Sequence, residues 1–353
     1  MVNSMITKTI DENSISITPE ESDDLFILRR IVKKNDRLTG DTTRAIRQEK
    51  DFSRPDRGER IRIRVAIAVE RISIDDVVDR LKAHGIIAES NNETVQKGSH
   101  HSMTIKLGDA VTLTKKSWTS LEKKLLLSKK ENFGFLLVAI DTGDCGIGRI
   151  SGTHLSLMPN MYSGSSGKRY KVKFNIESFF QEVEGAISAY IREDDMIVIF
   201  GPGETKKRFV NYLAGKPISK KHKTQVVEGI DSGGEDGIYT FIKSESMKQT
   251  MTKSKLARVS AIIDEIMFRV NKKSTKFTMG FDDTTKANDA GAVESIVFSD
   301  KVFEKQEEDK VIEFLNKAES KGVEVYAVDS TTDVGLRVSS LGGMVSLLRF
   351  VPS

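Results

Sequence analysis

Residues 196–213 read MIVIFGPGETKKRFVNYL. Five apolar residues, Met196–Phe200, make a run of strand length with β-branched enrichment. Gly201-Pro202-Gly203 stops it in a tight turn, and a helix is expected from Glu204. Strand, turn and helix in that order predict an α/β layer, with the strand inside it. Upstream, FGFLLVAID from Phe133 is a second buried strand, and its Phe135–Ile140 is the longest apolar run in the chain. CGIGRIS and HLSLMPN read as a meander after it. Asn175–Arg192 reads as helical. GIDSGGEDG, residues 229–237, reads as a flexible loop.

Beyond residue 250 helix and strand alternate. Helices are predicted over Leu256–Val270, Phe303–Lys321 and Asp333–Leu341, and strands over Glu294–Phe298, Val323–Val328 and Met344–Phe350. That order implies a compact α/β/α sandwich. Val297, Phe298, Val323, Val325, Val328, Leu347, Leu348 and Phe350 are its expected sheet core, with Phe303, Phe314 and Leu315 packing helices onto it. Gly342-Gly343 is expected to turn the chain. The first 130 residues differ. MITKTI and SISI alternate around the turn residues Asp11-Glu12-Asn13. Thr18 is expected to cap a helix that has Pro19 at its first position and Glu21 closing a capping box. Leu25, Leu28 and Val32 form the apolar stripe of that helix. Strands around Arg37–Ile46, Arg60–Ile72 and Met103–Leu113 suggest a small β-barrel closing near Lys130, and a charged helix, Ser117–Glu131, leads out of it. Three domains follow: 1–130, 131–250 and 251–353.

The chain has 353 residues, is 38% hydrophobic and 30% charged, and carries a formal net charge of +4. These are values of ordinary globular domains. No run approaches the roughly 18 apolar residues of a membrane span, and the N-terminus lacks a signal-peptide core. The lone Cys145 excludes an internal disulfide and a cysteine-rich zinc site, and a reducing cytoplasm is the simplest address. Residues 1–130 hold 25 basic against 20 acidic residues, whereas 131–250 balance at 15 each and 251–353 hold 15 against 16. The basic surplus sits in the first third.

Within it, Arg44, Arg47, Lys50, Arg54, Arg57, Arg60, Arg62 and Arg64 are interrupted by only four acids. Guanidinium groups bond phosphate bidentately, which suits an RNA backbone. Taken alone, the composition fits a solvated, mixed-charge loop between two strands just as well. Arg60, Arg62 and Arg64 alternate, so one strand face can carry all three. His100 and His101 open a strand, and adjacent residues there face opposite ways, so one packed and one exposed imidazole are expected. Glu20, Asp23 and Asp24, with Glu21, lie in a first helical turn, where carboxylates suit the helix dipole. Their i, i+4 spacing would also permit an open divalent-cation site. Gly201-Pro202-Gly203-Glu204 fails the P-loop spacing, so no nucleotide is expected to bind this chain directly.

Several segments, in order, resemble the archaeal form of the Pelota family. They are ITPEESDDLFILRRIVKKNDRLTGDTTRAI, RIRIRVAIAVERI and GSHHSMTIKLGDAVTLTKKSW; then FGFLLVAIDTGDCGIGRISGTHL and VIFGPGETKKRFVNYL; and last MGFDDTTKANDAGAVESIVFSDKVF and LGGMVSLLRFVPS. The resemblance implies an Sm-like β-barrel first, a middle α/β domain like that of class-one release factors, and an L30e-like α/β/α sandwich last. It implies recognition of stalled ribosomes at the A site, and their rescue and dissociation in no-go mRNA surveillance. It implies a monomer working with an elongation-factor-1-alpha-type GTPase and an ABC-type ribosome-splitting ATPase. By that resemblance Arg44, Arg47, Lys50, Arg54, Arg57 and His100 meet RNA, and Lys168, Arg169, Pro202 and Gly203 meet the GTPase. Release factors carry Gly-Gly-Gln on a middle-domain loop. The corresponding NMYSGSSGKRYKVKF has no glutamine, so peptidyl-tRNA hydrolysis is not expected. The alternative function is a divalent-metal-dependent endoribonuclease, an attribution made to relatives, with Glu20, Asp23 and Asp24 as its candidate cation ligands and no catalytic residue assigned.

Overall fold

The computed structural model describes residues 5–46, 59–74, 80–127, 134–164, 175–252, 254–330 and 332–352. Contacts divide the chain into two compact units, one taking 3–130 with 306–322, the other 131–305 with 323–353.

The first unit opens with the expected hairpin, β1 (Ile6–Thr9) on β2 (Ser14–Thr18). Its turn is closed by the Asn13 N–H donating to Asp11 Oδ1 at 2.8 Å, the Asx geometry that makes aspartate a turn former. Helix α1 (Ser22–Ile31) follows, with Leu25, Leu28 and Val32 buried as its stripe predicts. Its cap differs from expectation. Thr18 stays in β2, paired with Ile6, and the Pro19 carbonyl accepts from the Gly108 N–H at 2.7 Å, so the chain remains extended. The N-cap is Glu21, and the carboxylate that reaches back is Asp24, whose Oδ2 accepts from the backbone N–H of Glu20 (3.0 Å) and of Glu21 (3.1 Å).

Five strands complete this sheet: β3 (Arg37–Ile46), β4 (Glu59–Ile74), β5 (Arg80–Ser90), β6 (His100–Lys106) and β7 (Val111–Thr114). The sequence expectation had no β5 and ran β6 and β7 together. β5 alternates buried Leu81, Ala83, Gly85 and Ile87 with more exposed residues, and its small inward residues weaken the hydrophobic signal. The order is β1-β2-β7-β3-β4-β5-β6. β3 and β6 are separated by two strands in that order yet touch. A Cβ at Gly40 of β3 would lie 3.1 Å from Met103 Sδ of β6. The sheet therefore curls on itself as a barrel does, around Ile17, Leu38, Ile63, Ile67, Leu81 and Leu113. Full burial of each such side chain is worth about 1.5–3 kcal/mol. Helix α2 (Ser120–Leu127) starts later than expected, because Thr119 and Glu122 form a reciprocal capping box at 2.9 and 3.2 Å.

In the second unit the middle sheet has β8 (Phe135–Ile140), β9 (Asp144–Ser151), β10 (His154–Leu157), β11 (Met161–Tyr162), β12 (Met196–Phe200) and β13 (Thr224–Val226), in the order β10-β9-β8-β12-β13 with β11 on β9. β8, β12 and β13 are parallel. Leu136, Val138, Ile197 and Ile199 pack on one face with Phe179, Val183 and Phe209, from α3 (Ile176–Tyr190) and α4 (Thr205–Leu213). Leu137, Ala139, Val198 and Phe200 pack on the other. Both faces are covered, which is why these strands read as unbroken apolar runs.

After the short α5 (Pro217–Lys221), residues 229–237 depart from the flexible loop expected of them: Gly234 begins α6 (Gly234–Ile242). A Cβ at Gly146 of β9 would come within 2.4 Å of the Gly234 backbone. These glycines let helix and sheet approach closely rather than loosening the chain. α7 (Glu245–Thr250) and α8 (Lys255–Asn271) follow, and Val259, Ile263 and Ile266 of α8 carry the apolar cluster on to Val297 and Val345. The last sheet holds β14 (Phe277–Met279), β15 (Val293–Ser299), β16 (Glu324–Val328) and β17 (Met344–Leu348), ordered β14-β17-β15-β16, with α9 (Phe281–Asp289), α10 (Val302–Lys305) and α12 (Asp333–Ser340). The single helix expected over 303–321 is two, α10 and α11 (Glu308–Ser320), and α11 falls in the first unit. Phe298 and Phe303 meet edge to face with centroids 6.3 Å apart. Phe350 lies beyond the last strand and is exposed, not core. Gly342 and Gly343, at φ 99° and 80°, form the expected turn. The chain is thus a multidomain α/β protein built on three sheets. Among the described residues no helix is long and apolar enough to cross a membrane.

Asp24→Ala should remove the reach-back at the α1 N-terminus and lower stability by about 1 kcal/mol. Urea unfolding checks this, and an unchanged midpoint would show that the cap contributes nothing.

Candidate nucleic-acid interface

The arginine-rich segment is delivered by two long strands. β3 and β4 pair in register from Arg37↔Ala68 to Ile46↔Glu59, so residues 47–58 leave and re-enter the sheet at one point. Arg47, Lys50, Arg54 and Arg57 fall in that connection, outside the described residues. On β4, Arg62 and Arg64 are exposed while Ile63 and Val65 are buried, so two of the three alternating arginines do share a face. Arg60 has only its backbone described. Asp41 of β3 pairs with both, at 3.7 Å to Arg62 and 3.2 Å to Arg64. One carboxylate between two exposed guanidiniums leaves surplus positive charge, and pairs this open to water bind weakly.

At the seam where β6 meets β3, side chains take over from the ladder. His101 Nε2 and Thr42 Oγ1 share a hydrogen bond at 3.2 Å, and Arg44 Nη2 donates to Ser99 Oγ at 3.2 Å. Ser99 Oγ in turn donates to the Gln96 carbonyl at 2.7 Å. A cleft of about 420 Å³ opens beside this seam, lined by Thr43, Arg44, His84, Gly85, His100, His101 and Ser102. His84 Nδ1 shares a 2.7 Å hydrogen bond with Ser102 Oγ, and His100 Nδ1 lies 3.2 Å from Glu70 Oε2. His100 is exposed and His101 half-buried, as their adjacency on a strand requires. Burial, reinforced by the Arg44 charge, holds the His101 imidazole below its ordinary value. Sequence reasoning singled out Arg44 and His100 but missed His84, Ser99 and Thr42. The β5 alternation, which turns His84 outward, was the signal available.

The acidic cluster does not assemble a cation site. Asp24 is fully buried, and its Oδ2 is taken by the two backbone N–H groups of the cap. The carboxylate that would have had to converge with Glu20 and Asp23 is turned into the fold. Among the described residues no group of three or more His, Cys, Asp or Glu side chains is placed to hold a metal ion.

In the second unit Gly201-Pro202-Gly203 is a rigid turn. Gly201 sits at φ 136°, and a Cβ there would lie 2.2 Å from the Ile140 carbonyl oxygen, so only glycine fits. The buried Lys206 ammonium donates to the Gly201 and Gly203 carbonyls, each at 2.8 Å, and pairs with Glu228 at 3.0 Å. A cation satisfied by turn carbonyls is no phosphate cradle. Pro202 stays half-buried and Gly203 exposed. The base of the Asn160–Phe174 segment is anchored as well: Asn160 Nδ2 donates to Asp144 Oδ2 at 3.2 Å, and the Ser163 N–H to the Gly143 carbonyl at 2.9 Å. Burial, with Asp141 beside it, pushes the Asp144 carboxyl above its usual range. Gly167, Lys168 and Arg169 lie outside the described residues. Cys145 is buried, and that burial pushes its thiol far up, so it is no nucleophile.

A family model described as eRF1 domain 3 matches residues 256–352, and one described as the Pelota N-terminal domain matches residues 2–129. The Protein pelota homolog of Nitrosopumilus maritimus is 62% identical over 346 residues, covering 98% of this chain and 99% of that relative. The homolog from Cenarchaeum symbiosum is 47% identical over 348 residues, covering 99% of this chain and 100% of the relative. The crystal structure of the Thermoplasma acidophilum Pelota protein matches in fold, with a TM-score of 0.63 at 24% identity over 98% of this chain and 99% of that one. The chain belongs to the Pelota family.

The His101 shift fixes a sign. With its folded value below the ordinary 6.5, the unfolded chain takes up the proton first as pH falls, so this group stabilises the fold above about pH 6.5 and that contribution is lost on acidification. Urea unfolding at pH 7.5 and 5.0 should show a smaller loss of stability in His101→Gln than in the parent, and equal losses would remove His101 from the seam's energetics.

Proposed function

We propose that this protein recognises stalled ribosomes and promotes their rescue and subunit dissociation in no-go mRNA surveillance, acting with a translational GTPase. Kinship with Pelota proteins along nearly the whole chain carries this reading. The curled sheet is the part that meets RNA in the A site, through Arg44, Arg47, Lys50, Arg54, Arg57 and His100. Its two long strands support that role, since their pairing ends at the two residues that bound the arginine-bearing connection, and guanidiniums there suit phosphate.

The middle layer works as an inert lobe. A hydrolytic release factor needs a group that positions water at the peptidyl ester, and no glutamine lies between Asn160 and Phe174. The nascent chain therefore stays on its tRNA, and rescue proceeds by dissociation. Lys168 and Arg169, with Pro202 and Gly203, form the contact for an elongation-factor-1-alpha-type GTPase. The pinned turn supports this, because a rigid, partly exposed loop meets a partner without an ordering cost. Splitting falls to an ABC-type ATPase, and the whole process belongs to the cytoplasm, where ribosomes stall. The three functional segments are 1–130, 131–250 and 251–353.

Sedimentation with stalled, elongating and empty ribosomes tests this. The parent protein with its GTPase should bind and split stalled particles without releasing peptide. Replacing Arg44, Arg47 and Arg54 by Glu should weaken engagement by at least about tenfold, with a shallower salt dependence. Undiminished binding by that variant, or peptide release by the parent protein alone, would count against the proposal.

A further inference from the structure

Three of the chain's five histidines, His84, His100 and His101, line a single cleft beside Arg44, while His154 and His222 lie in the second unit. Arg44 brings the positive charge, and its Nη1 is buried without a hydrogen-bond partner. A buried guanidinium N–H lacking an acceptor is uncommon, because leaving it unmet is costly. The cleft is open and holds about 420 Å³, room for a tetrahedral anion with part of a sugar.

The occupant's charge follows from these groups. The guanidinium repels a cation. His84 Nδ1 is engaged by Ser102 and His100 Nδ1 by Glu70, so the imidazoles are held in place by one nitrogen each. Each is left with its second ring nitrogen. An anion with several acceptor oxygens could take the Arg44 N–H and a neighbouring imidazole N–H together. We propose that this cleft is a phosphate site, and that in the working protein it holds one phosphodiester of single-stranded RNA at the root of the β3–β4 arginine hairpin. This rests on the RNA-facing role proposed for that sheet and adds a particular subsite to it.

Binding at this site takes up a proton. The charged and titratable groups around this cleft are Arg44 from β3, which bears on His101, and His84 and His100, which line it from the outer face of β5 and β6, with Glu70 of β4 reaching it through His100. Burial, and then the Arg44 charge, disfavours the charged form of His101. A phosphate oxygen against Arg44 offsets that charge, so His101 protonates more readily in the bound state and affinity rises as pH falls.

The imidazole carbon-bound proton resonances of the full chain test this directly, with His154 and His222 as internal references. Inorganic phosphate is one arm of the titration and a short oligouridylate the other. The cleft histidines should move in both arms, the oligonucleotide should act at lower concentration, and the His101 titration midpoint should rise in the bound state. Arg44→Gln should weaken both ligands about tenfold or more, and His101→Gln should abolish the pH dependence while leaving weaker binding. No response from the three cleft histidines, or equal shifts at His154 and His222, overturns the assignment. Response to phosphate but not to oligonucleotide keeps the anion site and removes RNA as its occupant. Stalled-ribosome binding by a protein whose cleft is silent to phosphate defeats the subsite alone. A responsive cleft in a protein that ignores stalled ribosomes defeats the ribosome reading alone.

Discussion

The curl that brings β3 against β6 is the constraint on which the first unit depends. Two strands not adjacent in the hydrogen-bonded order can meet only if the sheet bends through β4 and β5. Here the meeting is dry at one end and polar at the other: Gly40 receives Met103, while Thr42 and Arg44 bond His101 and Ser99. The polar end carries the consequences. It half-buries an imidazole beside a guanidinium, opens a cleft among three histidines, and sets the ends of β3 and β4 so that the arginine-bearing connection begins within three residues of Arg44.

The second unit relies on stiffness. A parallel sheet covered on both faces leaves little slack in β8 and β12, and the turn after β12 is fixed twice, by Gly201 lying against the Ile140 carbonyl and by Lys206 bonded to two of its carbonyls. Asn160 and Ser163 tie the root of the glutamine-free segment to the β8–β9 hairpin. A lobe built this way presents fixed surfaces, and its one thiol, Cys145, is buried within it.

Much of this was legible in the sequence wherever one physical signal dominated. Unbroken apolar runs marked β8 and β12 because both faces of that sheet are buried. Alternation marked β3, β4 and the face shared by Arg62 and Arg64. The stripe of Leu25, Leu28 and Val32 marked α1. The failures have specific causes. Gly233-Gly234 and Gly237 look like a loop when only local propensity is weighed, but they start a helix because α6 must approach β9 closely, a demand made by a strand nearly ninety residues earlier. Pro19 looked like a helix start, but the strand partners of Thr18 and the contact with Gly108 keep it extended. Asp24 read as a helix-dipole carboxylate or an open cation ligand because nothing in its neighbours reveals that it turns inward. The histidine cleft escaped because it joins β3, β5 and β6 through closure of the sheet, and pairing across a seam leaves no local trace.

The central claim is that the curled sheet's arginine hairpin enters the decoding region of a stalled ribosome. Cryo-electron microscopy of the full chain on ribosomes arrested on a truncated mRNA tests it most directly. Density for β3 and β4 running into the A site, with Arg44 and the 47–58 connection against RNA phosphates, is the expected result. A bound factor whose first unit stands clear of all RNA, or one seated wholly outside the A site, would contradict it.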